Sequence, residues 1–325
     1  LLFSYPDCSI SRLKNNLARK GNRLQGFQWI YFVLTLAQVK CRERNYGMTE
    51  NELKKRLQTL KDGEFQLSRT EAVAVVPAML ERIGSPDGEL RDTLIYSTFV
   101  EWIYQQRLFS ARDLHSILKR VMDDQHMFYH MGEEEGDGVF TRAFSVLLLP
   151  LLLAVHRDAP YLSSGEIRIV KQNLIDFLQQ EKDRRGFVPG KGWAHAIAHA
   201  ADAVDELALC SELRSSDLLE LLGTIQKVIC DANQVYGHGE EERLGTAVIS
   251  IISRDQLEAE QIRGWVTAFG DPVLEVESLP EKLIIRANVR NFIQSLYFRL
   301  QWKEMLAPFA AALEQTLFAI SSYSH

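Results

Sequence analysis

Apolar residues recur along the chain at steps of three and four positions, as Leu114, Ile117, Leu118 and Val121 do. An α-helix turns once in about 3.6 residues, so this spacing places the apolar side chains on one face of a helix. Runs in which apolar and polar residues alternate, the pattern of a half-buried strand, are absent from the sequence. The pattern therefore predicts an all-α protein.

Several helix starts are marked by Ser or Thr followed three residues later by Glu. In this arrangement the two side chains accept hydrogen bonds from backbone N–H groups that the first helical turn leaves free. Three pairs have the spacing: Thr49 with Glu52, Ser68 with Glu71, and Ser163 with Glu166. They predict helices that begin at the residue after each Ser or Thr.

From about residue 88 the helix pattern repeats. First helices are expected to begin 49, 52 and 49 residues apart, near Asp92, Thr141, Trp193 and Glu242. Second helices open with similar runs, in Phe109–Leu114, Leu162–Ile167, Leu213–Leu218 and Ile252–Leu257. A helix pair repeated at this period is typical of an α-solenoid of the HEAT or armadillo kind, because each pair buries its apolar face on a neighbour. A closed α/α toroid would give a similar pattern.

The repeat predicts one continuous domain with three parts. Residues 1–83 supply amino-terminal helices, residues 84–270 supply the helix pairs, and residues 271–325 form a carboxy-terminal helical cap. The net charge is -6, but residues 1–61 are basic, with 12 Lys and Arg against 4 Asp and Glu. Nucleic-acid binding requires a basic face with stacking aromatics or a recognisable motif, so no nucleic-acid partner is expected for this acidic body.

The most apolar runs lie near Trp29–Leu36 and Val146–Val155. Both are shorter than the roughly 20 residues that span a bilayer, so they are interpreted as buried helices and no membrane partner is expected. Pro150 lies inside the second run. Since proline removes a hydrogen bond from the helix interior, it should kink that helix.

Cysteine spacing bears on the cellular compartment. The four cysteines are Cys8, Cys41, Cys210 and Cys230, and none forms a Cys-x-x-Cys pair. Such scatter argues against a zinc cluster and against a disulfide framework. The sequence therefore predicts reduced thiols and a cytoplasmic protein.

Three connections between helix pairs are rich in glycine or charge: Gly132–Gly138, Gly186–Gly192 and Gly237–Gly239. In a stack of hairpins such connections emerge at one edge, so they should line up in space. The predicted polar rim consists of Asp137, Arg142, Lys191, Trp193, His195, Glu242 and Arg243. The alternative interpretation is that glycines end the helices and charged residues coat the loops.

The most specific local pattern lies on one predicted helix. His195, His199, Asp202 and Glu206 are spaced by four, three and four residues, so they share one narrow face. His195, His199 and Asp202 could hold a divalent metal, with a further ligand from elsewhere. The glutamate that metalloproteases place directly after the first zinc histidine is missing, because Ala196 stands there. An ordinary polar helix face, with each histidine hydrogen-bonded to a neighbouring unit, also explains the pattern.

Five segments carry a family resemblance: Ile83–Asp92, Val139–Ser145, Glu181–Gly186, Lys191–His199 and Glu242–Leu244. Together they resemble a family of bacterial proteins known as a domain of unknown function (DUF2785). The likeness covers roughly residues 75–255. The chain departs from the family pattern in having Ala143 where a serine is common and Ala200 where a glycine is common. The resemblance implies a cytosolic bacterial protein with a helical-repeat fold, and it brings no activity, cofactor or catalytic residue.

Two functions fit these observations. In the first, a binding or scaffold protein receives a peptide, a partner protein or a small anionic ligand on its rim or concave surface, as helical solenoids commonly do. In the second, a metal-assisted hydrolase uses His195, His199 and Asp202 as metal ligands and Glu242 as base or additional ligand. The sequence favours the binding protein and predicts no cofactor for it.

Overall fold

The helices begin where the sequence predicts caps. A computed structural model describes residues 48–321. The side chains of Thr49, Ser68 and Ser163 each accept a hydrogen bond from the N–H three residues on, and the glutamate at that position accepts one from the N–H of the capping residue. Predictions for residues 1–47, including the apolar run Trp29–Leu36, lie outside the described residues.

The described residues are mostly helical, which confirms the all-α fold class. In chain order the helices are α1 Glu50–Asp62, α2 Arg69–Glu81, α3 with its consecutive segments Glu89–Tyr96, Ser97–Phe99 and Val100–Gln105, α4 Ala111–Val121, α5 Gly138–Val146, α6 Leu148–Asp158, α7 Ser164–Gln180, α8 Ala196–Ala208, α9 Ser215–Ile229, α10 Glu240–Ser253, α11 Ala259–Thr267, α12 Gly270–Glu275, α13 Leu279–Trp302 and α14 Ala310–Ile320. Two short strands, β1 Phe187–Val188 and β2 Gly192–Trp193, pair antiparallel.

The first helices of successive pairs pack side by side in chain order. α3 contacts α6, α5 and α6 contact α8, and α8 packs most extensively on α10. We call α3, α5, α6, α8 and α10 the first-helix layer. Contacts near both ends of neighbouring helices give their direction: Ala143 with His199 and Arg157 with Glu206, then Asp202 with Arg243 and Asp205 with Ser250. In each set, the contact that is later in one helix is also later in the other. Neighbouring helices of this layer therefore run parallel.

The second helices also contact one another in chain order. His115 of α4 bonds Glu166 of α7, and Lys171 of α7 bonds Asp217 and Glu220 of α9. α7 additionally packs on α8, and α9 on α10. Apolar side chains from both sets of helices are fully buried between them, which places the core there.

The second helix of the fourth pair begins later than the sequence predicts. Ser253 does not cap a new helix; it is the last residue of α10, and its hydroxyl donates to the carbonyl of Ile249. Asp255 has a positive φ of 51°, which ends the helical path. α11 starts instead after Glu258, whose backbone N–H donates to the side chain of Gln261.

Pro150 interrupts the apolar segment as expected. α5 ends at Val146 and α6 begins at Leu148. Pro150 has no N–H to donate and its ring crowds the carbonyl four residues earlier, which belongs to Val146. The combined stretch Gly138–Asp158 is long and apolar enough to cross a membrane, but 83% of its most apolar window is buried inside the protein. Its burial identifies it as a core element.

Candidate functional site

The three glycine-rich connections meet at one edge of the first-helix layer, as the sequence predicts. We call Gly132–Gly138, Gly186–Gly192 and Gly237–Gly239 the loop edge. The ammonium of Lys191 lies 2.6 Å from the carboxylate of Asp137, which joins the first two connections. His195 Nε2, at the start of α8, lies 3.0 Å from the carbonyl oxygen of His238, which belongs to the third connection.

A buried arginine anchors the β1–β2 hairpin. The Arg91 side chain is fully buried, and its guanidinium donates to the carbonyls of Ser85 at 2.7 Å and Lys191 at 2.7 Å. The same group lies over the Phe140 ring, 4.2 Å from the ring centroid. Sequence reasoning included Arg91 only as part of a family segment. Gly88 packs against the same hairpin, because an added Cβ there would lie 3.1 Å from the Lys191 carbonyl oxygen.

Trp193 presents an aromatic surface on the hairpin. Its side chain is 41% exposed and its ring stacks on His195 with 4.7 Å between centroids. Phe187 and His238 contact the same indole edge-on, at 5.2 and 5.6 Å. His195 has a left-handed backbone conformation with φ of 57° at the start of α8. The conformation ends the hairpin and starts the helix, so Trp193 projects at the loop edge.

His195 pairs with a glutamate that sequence reasoning did not single out. Its Nε2 lies 3.4 Å from Glu240 Oε1, and both side chains are nearly fully buried. Burial raises the pKa of Glu240, but hydrogen bonds from His195 and from the backbone N–H of His238 outweigh it and hold that pKa below its usual value. Three consecutive glutamates begin α10, and the sequence alone does not distinguish Glu240 from Glu242.

His199 and Asp202 each have a separate partner. His199 Nδ1 lies 3.2 Å from the carbonyl oxygen of Ala143, and burial, together with the nearby His195 and Arg243, lowers its pKa to about 3. Burial raises the pKa of Asp202, although its carboxylate accepts a short hydrogen bond from Arg243.

The predicted metal ligands therefore do not share a binding point. His195 bonds the His238 carbonyl and Glu240, His199 bonds a different carbonyl, and Asp202 pairs with an arginine. Within residues 48–321, no group of three or more His, Cys, Asp or Glu side chains could hold a metal ion. The predicted helix face is incomplete, because His195 lies before α8 in a left-handed conformation and only His199 and Asp202 belong to the helix.

Arg142 contacts the loop edge only from its buried side and is not exposed on the predicted rim. Its side chain and that of Glu181 have no exposed area, and two hydrogen bonds of 2.6 and 2.8 Å join them. The guanidinium also donates to the carbonyls of Tyr129, His130 and Glu133. Arg142 therefore fixes the connection before α5 and is not available to a ligand.

Glu242 and Arg243 of the predicted rim line an open cleft of about 420 Å³ between α10 and α13. We call this the α10/α13 cleft. Its other side consists of Phe298, Arg299 and Trp302 of α13. Sequence reasoning assigned α13 to a terminal cap and so missed these three residues. The signal was available in the sequence, since Phe298 and Trp302 are four residues apart and so share one helix face.

The fold and the site define an all-α protein whose helix starts and connections converge at one polar edge. Residues 127–298, more than half of the chain, match the model of a family described as Protein of unknown function (DUF2785). The chain belongs to this family, as the resemblance predicted. No curated protein and no solved structure matches it significantly. The matched residues include the loop edge, the Asp202–Arg243 pair and most of the α10/α13 cleft.

Proposed function

We propose that the chain is a binding protein whose helix pairs stack as an α-solenoid, with ligand contacts on the first-helix layer. The parallel first helices and the chain-order contacts of the second helices support stacked helix pairs, a packing that a closed toroid would share. Solenoids expose one continuous helical surface, which suits a peptide, a partner protein or a small anionic ligand. We place this function in the cytoplasm of a bacterium, in agreement with the free thiols of Cys210 and Cys230.

One observation carries the proposal: Asp202 and Arg243 form a half-exposed ion pair between α8 and α10. Their side chains are 33% and 41% exposed, in contrast to the buried Arg142–Glu181 pair. A carboxylate or phosphate of a ligand could replace Asp202 as the partner of the arginine, because a guanidinium binds such groups with two parallel hydrogen bonds. The raised pKa of Asp202 reflects the cost of keeping its charge partly out of water, which favours this exchange.

The test compares proteins and small molecules that the immobilised chain retains from a bacterial lysate, identified by mass spectrometry. Asp202→Ala/Arg243→Ala should reduce retention of the specific ligand at least tenfold, while circular dichroism shows unchanged helix content. A matched control is Glu260→Ala/Arg263→Ala, which removes an exposed ion pair on α11. Equal retention by wild type and the Asp202/Arg243 variant would overturn the proposal.

The hydrolase interpretation has no supporting observation in the structure. Its metal ligands point to separate partners, and Glu242 lines the α10/α13 cleft.

A further inference from the structure

Two large aromatic side chains are exposed on one face of α13. Phe298 is 51% exposed and Trp302 is 76% exposed. They lie one helical turn apart and their rings are stacked, with 6.4 Å between centroids and 29° between planes. Both line the α10/α13 cleft. Large aromatic residues that stay exposed together are enriched in protein interaction sites, because they bury much area and lose little conformational freedom on binding.

Positive groups lie beside these rings. Two arginines line the cleft itself, Arg243 from α10 and Arg299 from α13. Arg299 donates to the Glu242 carbonyl and to the Thr246 hydroxyl, which fixes its guanidinium at the wall of the cleft. The surface thus combines an apolar platform with positioned positive groups.

We infer that the α10/α13 cleft binds an acidic peptide segment of a partner protein, with bulky apolar side chains on Phe298 and Trp302 and carboxylates near Arg243 and Arg299. This inference rests on the proposed binding function and names its ligand class. The cleft offers both an aromatic platform and two arginines, so a segment of several residues gains more contacts than a single small anion.

The shape of the apolar platform favours a peptide over a nucleic acid. Apolar side chains at i, i+3 and i+4 of an amphipathic helix match an apolar platform flanked by charges, which is a common form of peptide recognition.

The experiment measures fluorescence anisotropy of a dye-labelled peptide with Leu and Phe at i, i+3 and i+4 and Glu at the remaining positions. The wild-type chain should bind it, and added sodium chloride should weaken binding because exposed charges are screened. A peptide with Gln in place of every Glu should bind at least tenfold more weakly. Equal binding of the two peptides would overturn the role of the carboxylates and with it the inference.

The matched variants change only α13, since Arg243 also belongs to the proposed ligand site on α8 and α10. Trp302→Ala and Arg299→Gln should each weaken binding of the acidic peptide about tenfold or more. The control Ile169→Ala removes a comparably exposed apolar side chain on α7 and should leave binding unchanged. Trp302 is largely exposed, so its replacement should not alter folding, and an unchanged melting temperature verifies this.

Other occupants give distinct results that would overturn the inference. A single-stranded oligonucleotide that competes with the peptide and binds more tightly would assign the cleft to nucleic acid. A wild-type dimer that becomes monomeric in Trp302→Ala, measured by light scattering, would assign it to a second copy of the chain. If the peptide fails to bind but lysate capture still depends on Asp202 and Arg243, only the cleft inference is wrong. If the peptide fails to bind and lysate capture does not depend on Asp202 and Arg243, the proposed function is wrong as well.

Discussion

Arg142 of α5 and Glu181, the residue after α7, form a fully buried ion pair with two hydrogen bonds, 2.6 and 2.8 Å long. The arginine also donates to carbonyls of the connection before α5, including those of Tyr129 and Glu133. A buried guanidinium is tolerated only when its N–H groups have partners. This pair therefore connects two helices and one loop through charges that no solvent stabilises.

Replacing Arg142 should destabilise the protein strongly. Arg142→Ala leaves the Glu181 carboxylate buried without a counter-charge, and breaking a buried pair in this way costs about 3–5 kcal/mol. The free energy of unfolding, measured by urea titration, should fall by that amount. The exposed variant Arg263→Ala should change it by no more than about 1 kcal/mol. An Arg142→Ala protein as stable as wild type would contradict the buried pair.

Gly84 is required by a close approach of two backbone segments. An added Cβ would lie 1.9 Å from the Thr141 hydroxyl oxygen and 2.6 Å from the Thr141 backbone nitrogen. Gly84→Ala should therefore destabilise the protein by about 2 kcal/mol. Thr141→Ala should not rescue it, because the backbone contact remains.

A matched control for this prediction is Gly223→Ala in α9, where an added Cβ would meet no atom within 4 Å. Alanine favours the helix over glycine, so this variant should gain about 0.5–1 kcal/mol. Thermal unfolding of the two variants gives the comparison. Equal melting temperatures for Gly84→Ala and Gly223→Ala would contradict the close approach.

The elements that sequence predicts well depend on neighbouring residues. The Thr49–Glu52 cap and the break before Pro150 follow from chemistry within one helical turn, and both are present. The predicted alignment of the connections rested on an assumed repeat, and the contacts of Lys191 with Asp137 and of His195 with His238 bring these connections together. The predicted start of α11 was wrong, because the Ser253 hydroxyl donates to a carbonyl of its own helix, that of Ile249.

The details of the site depend on partners far along the chain. Arg142 was predicted on the rim because it follows the Gly132–Gly138 connection, whereas its partner Glu181 lies 39 residues away. The histidines of α8 were predicted to converge, but different neighbouring segments bind them. Residue spacing shows which side chains share a face of one helix. It does not show which other segment of the chain that face contacts. The aromatic residues of α13 were missed because that helix was assigned to a terminal cap, although Phe298 and Trp302 share one of its faces.

No other cationic side chain should replace Arg91 without a loss of stability. Lysine keeps the charge but cannot donate to the Ser85 and Lys191 carbonyls in the same fixed geometry, nor lie flat on the Phe140 ring. Arg91→Lys should lower the free energy of unfolding by about 2 kcal/mol and speed hydrogen exchange at Gly192 and neighbouring amides. Arg263→Lys on the exposed face of α11 is the control. Unchanged exchange in the hairpin would contradict an anchoring role for Arg91.

His199 should make the protein less stable as pH falls. Its pKa is about 3 in the folded chain, because burial and the nearby His195 and Arg243 disfavour its charged form, and about 6.5 in the unfolded chain. Between these values the unfolded chain binds a proton that the folded chain excludes. The contribution of His199 is therefore fully present above pH 6.5 and decreases by about 1.4 kcal/mol per pH unit as pH falls towards 3.

The comparison with His199→Gln isolates this effect. A glutamine amide can still donate to the Ala143 carbonyl, but it does not titrate. The stability difference between wild type and the variant, from urea titrations at several pH values, should be constant above pH 7 and shift against wild type below pH 6. The His199 ring resonance in NMR spectra should show no titration down to pH 5. A titration midpoint near 6.5 would contradict the neutral buried histidine, because a charged imidazole at this position would have to be solvated.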